Sequence, residues 1–298
     1  MGGRARQAIL GVALAASVAV AAHTAAAATP LWIVFTASPD GTQPTQLYRV
    51  QTTGTGLEQI TKGSGPATDA AFSPDGKRVV FARLGSGIFV TNLDGTGLKR
   101  LTTGTRDTYP VWSPNGKRIA FVRIFKTEWR LYVMTATGAG EKLLPKSPPS
   151  GRPSWTADSK SIFIPAGAGI AKVDARTGNV QKRYNVTLDP SISQAVTAAP
   201  NSKSFAFVGR RNPTGPPDCG ESHCPAFALY LFDATRGKTR KLVNDTGPAG
   251  WSPDSKSVVY VAHGDLTLSV VASGKSTKID TGTHVASGDA PPAWQPAN

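Results

Sequence analysis

The chain of 298 residues carries 33 lysines and arginines against 19 aspartates and glutamates, which gives a formal net charge of +14 at pH 7. This basic balance favours anionic partners, such as the acidic polymers of a cell envelope, and it keeps the protein soluble by self-repulsion. The sequence contains no recognised motif for reading a nucleic acid, which argues against that class of partner.

The N-terminal segment has the features of a secretory signal. Two arginines precede an apolar run over residues 8–22, and small residues follow it up to Ala28. An uncleaved membrane anchor is the alternative, but the run is short for a span and rich in weakly apolar alanine. We therefore expect residues 1–28 to be removed and the remainder to be exported, to the periplasm or the extracellular space, with no membrane span.

About 270 residues remain after that cleavage, which is enough for one well-buried core. No linker or shift in composition divides them. The sequence therefore predicts a single domain over residues 29–298, with a net charge near +12 once the two arginines of the signal are gone.

Three segments at the start of this domain predict β-strands. They cover residues 32–35, 46–50 and 58–61, and β-branched and aromatic side chains are frequent in them. The repeats that follow from residue 69 each begin with a further strand, which this first unit lacks. The domain is therefore predicted to start in the middle of a structural unit.

Between Asp69 and Gln295 the sequence contains five copies of one repeat, followed by an incomplete sixth copy. The residue before Ser-Pro, or its equivalent, marks each copy, and successive markers are 40, 43, 43, 53 and 43 residues apart. The markers are Phe72, Trp112, Trp155, Ala198, Trp251 and Trp294. A repeat of this length with several short strands is typical of a β-propeller.

The residue order within each unit predicts four antiparallel strands. Ser-Pro-Asp-Gly at residues 73–76 is a turn sequence, because proline presets φ and glycine accepts the left-handed conformation. A β-branched second strand follows, then a third strand, a glycine turn and a short outer strand, as at residues 79–81, 88–90 and 98–102. The recurring tryptophans are expected to pack between blades, since equivalent positions in a repeat have equivalent burial.

The two ends of the domain are predicted to complete one blade. Segment 290–296, which carries Trp294, has the pattern of an inner strand. Its pairing with residues 32–35 would remove the exposed edges of an open array. The expected fold is all-β: a six-bladed β-propeller of four-stranded antiparallel blades, closed by pairing of the N- and C-terminal segments.

Two cysteines, Cys219 and Cys224, lie in the one insertion that lengthens the repeat to 53 residues. Two closely spaced cysteines in an exported chain favour one local disulfide, here between the second and third strands of a blade. The alternative is a metal site that adds His223, but no fourth ligand is near it in the sequence. We therefore predict a disulfide, and neither a metal site nor a cofactor.

The segments SPDGKRVVF, SPNGKRIAF and SPDSKSVVY resemble the repeats of the TolB-like six-bladed propeller family, over nearly the whole mature chain. Such repeats serve periplasmic adaptors, carbohydrate lyases and the gating domains of prolyl-oligopeptidase-like enzymes, so the resemblance implies a fold more specifically than a function. The resemblance does not extend to the N-terminal α/β domain of TolB itself, or to a hydrolase domain. The resemblance therefore concerns the propeller and favours a binding or scaffolding role.

Candidate binding residues lie in the loops that would converge at the mouth of the central channel. Some of these loops enter the inner strands, and the others join the second and third strands. The first set is Asp69, Arg106, Asp107, Arg152, Gln194 and Asp289, and the second is Arg123, Lys126, Arg130, Arg210, Arg211 and His263. The arginines predict an anionic ligand, since a guanidinium matches the geometry of a carboxylate.

Signatures of catalysis are largely missing, since the sequence contains neither a G-x-S-x-G elbow nor an H-E-x-x-H motif. The sequence therefore predicts a non-catalytic, monomeric module that binds an envelope protein or an anionic polymer. The alternative is a lyase acting on an acidic polysaccharide, with His263 as the base. This alternative requires His263 and several arginines to meet in one cavity.

Overall fold

A computed structural model describes residues 31–297, with gaps at residues 39–43, 64, 127, 146–150, 168, 187–195, 211–226, 245, 283 and 287–289. The described residues form 25 β-strands in six antiparallel sheets, and no helix among them is long and apolar enough to cross a membrane. Several predictions fall outside these ranges: the signal segment 1–28, Gln194, Arg211, the cysteines Cys219 and Cys224, and Asp289.

Five of the sheets are continuous in sequence, and each consists of four strands in chain order. The second and third blades contain β4 (Ala67–Phe72), β5 (Arg78–Arg83), β6 (Gly87–Asn92), β7 (Lys99–Arg100), β8 (Asp107–Trp112), β9 (Arg118–Phe125), β10 (Glu128–Thr135) and β11 (Lys142–Leu143). The fourth and fifth contain β12 (Ser154–Trp155), β13 (Ser161–Ala166), β14 (Gly169–Asp174), β15 (Val180–Tyr184), β16 (Val196–Ala198), β17 (Ser204–Arg210), β18 (Phe227–Asp233) and β19 (Lys238–Asn244). The sixth contains β20 (Gly250–Trp251), β21 (Ser257–Ala262), β22 (Asp265–Val270) and β23 (Ser276–Ile279).

The first blade is assembled from both ends of the domain, as predicted. Its strands are β1 (Trp32–Ser38), β2 (Gln46–Gln51), β3 (Glu58–Gln59), β24 (Val285–Ala286) and β25 (Ala293–Trp294). Both C-terminal strands pair with β1, so that Trp294 lies opposite Ile33 and Ala286 lies opposite Ala37. The predicted inner strand was continuous over residues 290–296, whereas the observed one is in two pieces; Pro291 and Pro292 between them have no N–H to donate to β1.

The innermost strands close into a ring. They contact one another in the order β4, β8, β12, β16, β20 and β25, and β25 returns to β4. Six hydrophobic clusters accompany this ring, one at each boundary between neighbouring blades. The fold is therefore the predicted six-bladed β-propeller with four antiparallel strands in each blade.

The second strand of a blade is apolar throughout because its two faces serve two boundaries. In β5, Val79 and Phe81 belong to the cluster shared with the first blade, whereas Val80 and Ala82 belong to the cluster shared with the third. All four side chains are fully buried. Alternation of this kind follows from the two-residue period of a strand, and burial on both faces removes the usual polar positions.

The recurring tryptophans pack against the preceding blade, as predicted. Trp112, Trp155 and Trp251 are 4%, 6% and 8% exposed and lie in three different boundary clusters. The indole nitrogen of Trp155 donates to the carbonyl of Val111 at 3.1 Å, and that of Trp251 donates to the carbonyl of Thr197 at 3.1 Å. Each of these two tryptophans thus joins two blades by apolar contact and by one hydrogen bond.

The Ser-Pro-Asp-Gly segment forms the turn that its residues predict. The Ser73 hydroxyl donates to Asp75 Oδ1 at 2.5 Å, and that oxygen also accepts the amide of Lys77 at 3.1 Å. Gly76 takes a φ of 65°, the left-handed conformation that favours glycine. The motif is therefore explained by the geometry of the hairpin that enters the second strand.

Candidate functional site

A cleft with a volume of about 640 Å³ lies where the first three blades meet, at the end of the ring where the chain enters the inner strands. Loops between second and third strands form its other wall. Its lining residues are Thr36, Thr45, Pro66, Thr68, Asp69, Leu84, Gly85, Thr105, Arg106, Asp107, Thr108, Tyr109 and Ile124. The cleft therefore contains three of the predicted mouth residues, Asp69, Arg106 and Asp107.

Two equivalent irregularities in the inner strands shape this cleft. The pairing of β4 with β5 shifts between Thr68 and Ala71, and the pairing of β8 with β9 shifts between Thr108 and Val111. The first of the two residues within each bulge has a positive φ, 57° for Asp69 and 53° for Tyr109. A bulge redirects side chains and interrupts the ladder, and here it presents one carboxylate and one phenol ring to the cleft.

The carboxylate of Asp69 is held by two other blades. Its Oδ2 accepts a hydrogen bond from the Thr108 hydroxyl at 2.7 Å, and its Oδ1 lies 3.3 Å from Nη1 of Arg152. Nη2 of Arg152 also donates to the carbonyl of Ala70 at 3.0 Å. Arg152 is buried, and this desolvation lowers the pKa of its guanidinium from the ordinary value while Asp69 opposes the shift. The pair ties the fourth blade to the second.

A second ion pair lies beside the cleft, between Arg123 and Asp107. The two carboxylate oxygens of Asp107 accept from Nε and Nη2 of Arg123 at 2.6 and 2.8 Å, and Glu141 accepts from the same Nη2 at 2.9 Å. The hydrogen bonds to Asp107 raise the pKa of Arg123 above its ordinary range. A Cβ placed on Gly104 would lie 2.4 Å from an oxygen of Asp107, so only glycine fits there without displacing the carboxylate.

Arg106, Lys126 and Arg130 are more exposed than these paired residues. Arg106 is exposed at the cleft, whereas Arg130 stacks over Phe125 at 4.7 Å and forms an ion pair with Glu128 at 2.7 Å. Lys126 is exposed in the turn between β9 and β10, with a φ of 50°. The structure therefore brings Arg106 to the cleft and pairs Arg130 with a carboxylate of its own strand.

His263 lies in the sixth blade, in the two-residue turn between β21 and β22. It is exposed, and both His263 and Gly264 have positive φ, 52° and 81°, which is the backbone of a tight hairpin turn. Among the described residues that line the cleft there is no histidine. The cluster of His263 with several arginines that a lyase requires is therefore not formed by this cleft.

Two features of the cleft were missed by sequence reasoning. Tyr109 and Trp129 stack with ring centroids 5.8 Å apart, on the third blade, whose β9 and β10 are two residues longer than β5 and β6. Leu84, in the turn between β5 and β6, is 54% exposed at the rim. A leucine between Arg83 and Gly85 was a visible signal, since a large apolar residue in a tight turn is not explained by packing.

The described residues contain no group of three or more histidine, cysteine, aspartate or glutamate side chains able to hold a metal ion. Chemically, the cleft offers threonine hydroxyls, exposed apolar surface and one unburied guanidinium. These groups suit recognition of a ligand by hydrogen bonds and apolar contact.

Comparisons with known proteins agree with this architecture. The family model described as the TolB beta propeller domain matches residues 24–185, which is more than half of the chain. The structure is similar to the crystal structure of TolB from Acinetobacter baumannii, with a TM-score of 0.72 and 19% sequence identity over 90% of this chain and 67% of that chain. At this identity the likeness concerns the fold.

Two curated proteins show shorter sequence matches. The Tol-Pal system protein TolB of Rhizorhabdus wittichii is 37% identical over 79 residues, which are 25% of this chain and 18% of that protein. The uncharacterized peptidase YuxL of Bacillus subtilis is 26% identical over 213 residues, which are 66% of this chain and 29% of that protein. The chain thus matches less than a third of the length of either relative.

Proposed function

The chain belongs to the TolB β-propeller domain family, and from this membership we propose that it is an exported, non-catalytic binding module of the cell envelope. It holds a segment of a protein partner in the cleft formed by the first three blades. The observation that carries this proposal is the open cleft of about 640 Å³, with exposed Leu84 and Arg106 at its rim.

The lining of the cleft supports a protein partner over an anionic polymer. Five threonines, Leu84, Pro66 and Ile124 offer hydroxyl and apolar contacts, which a peptide segment can use along its length. Arg152, Arg123 and Arg130, by contrast, already have carboxylate partners within the chain. An anionic polymer at this mouth would have to displace those carboxylates, whereas a peptide would not.

The arrangement of charge supports a binding role. Both acidic side chains of the cleft, Asp69 and Asp107, are buried and engaged by arginines, so they stabilise the walls. Arg106 is the basic residue of the lining that is exposed, and it suits a carboxylate of the partner. The cleft is thus a pre-formed surface with one charged anchor.

Site-specific crosslinking tests the location of this surface. A photoreactive residue at position 84 should capture a discrete envelope protein, and one at position 98 should not. Leu84 and Leu98 are matched, with 54% and 53% exposure, but they lie in turns at opposite ends of the second blade. Equal capture at both positions would overturn the assignment of the cleft.

The captured partner then allows a measurement with purified proteins. Arg106→Glu and Leu84→Asp should each lower its affinity about tenfold, a loss near 1.4 kcal/mol, whereas Leu98→Asp should leave it unchanged. A partner that binds all three variants like the native protein would contradict binding in the cleft.

Export is tested separately, on the N-terminal segment. Expression of the full chain in a bacterium, followed by N-terminal sequencing of the product, should give a start at Thr29 in the periplasmic or external fraction. A cytoplasmic product that retains Met1 would refute export without bearing on the cleft.

A further inference from the structure

The outer strands of the fourth and fifth blades carry a concentration of positive charge. Their two outermost strands and the turns between them contain eight basic residues and two acidic ones. The basic residues are Lys172, Arg176, Lys182, Arg183, Arg236, Lys238, Arg240 and Lys241, and the acidic ones are Asp174 and Asp233. These two blades therefore differ from the cleft, where both acidic side chains are paired with arginines.

Three of these lysines face the boundary between the fourth and fifth blades. Lys172 of β14 lies directly opposite Lys182 of β15. Two residues further along the same strands, Ile170 lies opposite Tyr184. Ile170 and Tyr184 lie in the hydrophobic cluster at the boundary with the fifth blade. Since side chains two residues apart share a face of a strand, both lysines face that blade.

The fifth blade supplies the third lysine from the other side. Lys241 of β19 is opposite Tyr230 of β18, and Tyr230 packs against the same cluster. The same boundary between the fourth and fifth blades is thus faced by three lysines and two tyrosines, Lys172, Lys182, Lys241, Tyr184 and Tyr230. We call the outer rim of this boundary the lysine groove. Tyr184 and Tyr230 are half-buried, and Lys182 Nζ lies 4.8 Å from the centre of the Tyr184 ring.

Among the described residues, no carboxylate lies within ion-pair distance of the three lysines of the lysine groove, although Lys172 is close enough to Asp158 to help lower the pKa of that carboxyl. Asp174 is on the same face as Lys172, but its Oδ1 accepts the backbone amides of Arg176 and Thr177, both at 2.9 Å. Like charges directly opposite in a sheet are destabilising, so Lys172 and Lys182 cost stability unless an anion lies between them.

The floor of the lysine groove is aromatic. The Tyr184 ring is 6.0, 5.6 and 6.4 Å from the rings of Phe163, Phe205 and Phe232, and Tyr230 stacks on Phe207 at 5.5 Å. These contacts fix the two tyrosines in place and leave part of each side chain exposed. Flat rings beside cations suit a sugar chain, whose C–H faces pack on aromatic side chains while its carboxylates meet the ammonium groups.

We propose that the lysine groove binds a linear acidic polysaccharide. A groove between two blades accommodates a chain of sugars, whereas a membrane surface would contact the rim as a plane. The site is distinct from the cleft of the first three blades, so it and the protein partner can be bound at the same time.

Binding of polygalacturonate, which has one carboxylate per sugar, tests this proposal on the full-length protein. Lys172→Gln, Lys182→Gln and Lys241→Gln together should lower the affinity by about tenfold or more and flatten its dependence on salt. The matched control is Lys77→Gln, Lys117→Gln and Lys256→Gln, which removes the same charge from exposed turns at the ends of inner strands. This control and the cleft variant Arg106→Glu should stay close to the native affinity.

Four outcomes would overturn the proposal. They are equal losses in the two triple variants, no binding of polygalacturonate by the native protein, equal binding of uncharged dextran, and tighter lysine-dependent binding to phosphatidylglycerol vesicles than to polygalacturonate. The glutamine variants should melt at the native temperature or above, since they remove a like-charge pair, and a lower melting temperature would contradict that part of the argument.

Discussion

Arg152 of the fourth blade and Asp69 of the second form a buried ion pair, with 3.3 Å between Nη1 and Oδ1, past the intervening third blade. Their side chains are only 7% and 4% exposed. Because the two blades share no boundary, the pair adds a contact that the packing of neighbouring sheets does not provide. It holds the bulge of β4 in place from two blades further round the inner ring.

Removal of one member of this pair should strongly destabilise the protein. Asp69→Ala leaves the Arg152 guanidinium buried without its carboxylate, and we expect a loss of about 3–5 kcal/mol in the free energy of unfolding. Arg130→Gln breaks the pair with Glu128, whose side chains are 43% and 67% exposed, and should cost less than about 1 kcal/mol. Urea denaturation of both variants checks this, and equal midpoints would refute a structural role for Asp69.

The tryptophans at the blade boundaries should also differ in how much each contributes to the free energy of unfolding. Trp251 is 8% exposed and bonded to Thr197, so Trp251→Ala should destabilise the protein by about 3–5 kcal/mol. Trp294 is half-buried in the first blade, so Trp294→Ala should lower the free energy of unfolding by less. Midpoints of denaturation provide the comparison, and an unchanged midpoint for Trp251→Ala would be incompatible with the observed packing.

Closure of the ring depends on a short C-terminal segment. The amide of Gln295 donates to the carbonyl of Trp32 at 2.8 Å, and its side chain bridges the Trp32 amide at 3.0 Å and the Gly76 carbonyl at 3.1 Å. Deletion of residues 290–298 should expose the inner edge of β1 and cause aggregation or a markedly lower melting temperature. Light scattering during a thermal melt measures this, and a monomeric truncation with native melting would show that closure is dispensable.

Gly104 should be irreplaceable because of Asp107. Gly104→Ala places a methyl group against the carboxylate and should destabilise the protein by about 1–3 kcal/mol. The same substitution in an Asp107→Ala background should be nearly neutral, since the obstructing oxygens are gone. A double-mutant cycle of chemical denaturation tests this coupling, and additive effects would disprove the proposed clash.

Stability should fall at acidic pH through the turn aspartates. In the turns between first and second strands, a hydroxyl hydrogen bond lowers the pKa of three aspartates from the ordinary 3.8, within the pairs Ser73–Asp75, Thr156–Asp158 and Ser252–Asp254. Because the folded pKa lies below the unfolded one, the contribution is complete above about pH 5 and is lost as the pH falls through 4 and below. We expect the free energy of unfolding to decline over that acidic range.

The third blade supplies a matched control for this pH effect. Ser113 donates to Asn115 at 2.8 Å in the same turn geometry, but Asn115 does not titrate. Ser73→Ala should therefore flatten the acidic decline, whereas Ser113→Ala should lower stability equally at all pH values. Parallel pH profiles for the two variants would exclude Asp75 as a cause of the decline.

The sequence was sufficient for the fold because each repeat carries local signals for its own turns and strands. Ser73 and Gly76 specify a hairpin, and the uninterrupted Val79 to Phe81 specifies burial on both faces. The ionic partners in the site were not predictable in this way. Asp69 and Arg152 are 83 residues apart, and nothing local to either indicates that a loop of the fourth blade reaches a bulge of the second.

The lysines illustrate the same limit. Nothing in the sequence marks Lys172 and Lys182 as neighbours, because they lie opposite each other only in the register that pairs β14 with β15. Their relation to Lys241 further depends on which face of β18 packs on the fourth blade. Charge counting indicated an anionic partner, but only the arrangement of the blades distinguishes paired from unpaired cations.

Because Gln295 forms a hydrogen bond with Trp32, the beginning and the end of the folded ring are neighbours in space. Residue 297 could be joined to residue 31 by a short linker, and the chain could be opened at the exposed turn around Gly237. Such a chain would keep all six boundary clusters. The blade assembled from two ends would then be the fifth. Circular permutation should therefore change which blade comes first along the gene while it keeps their cyclic order, so that the cleft and the lysine groove do not depend on where translation starts.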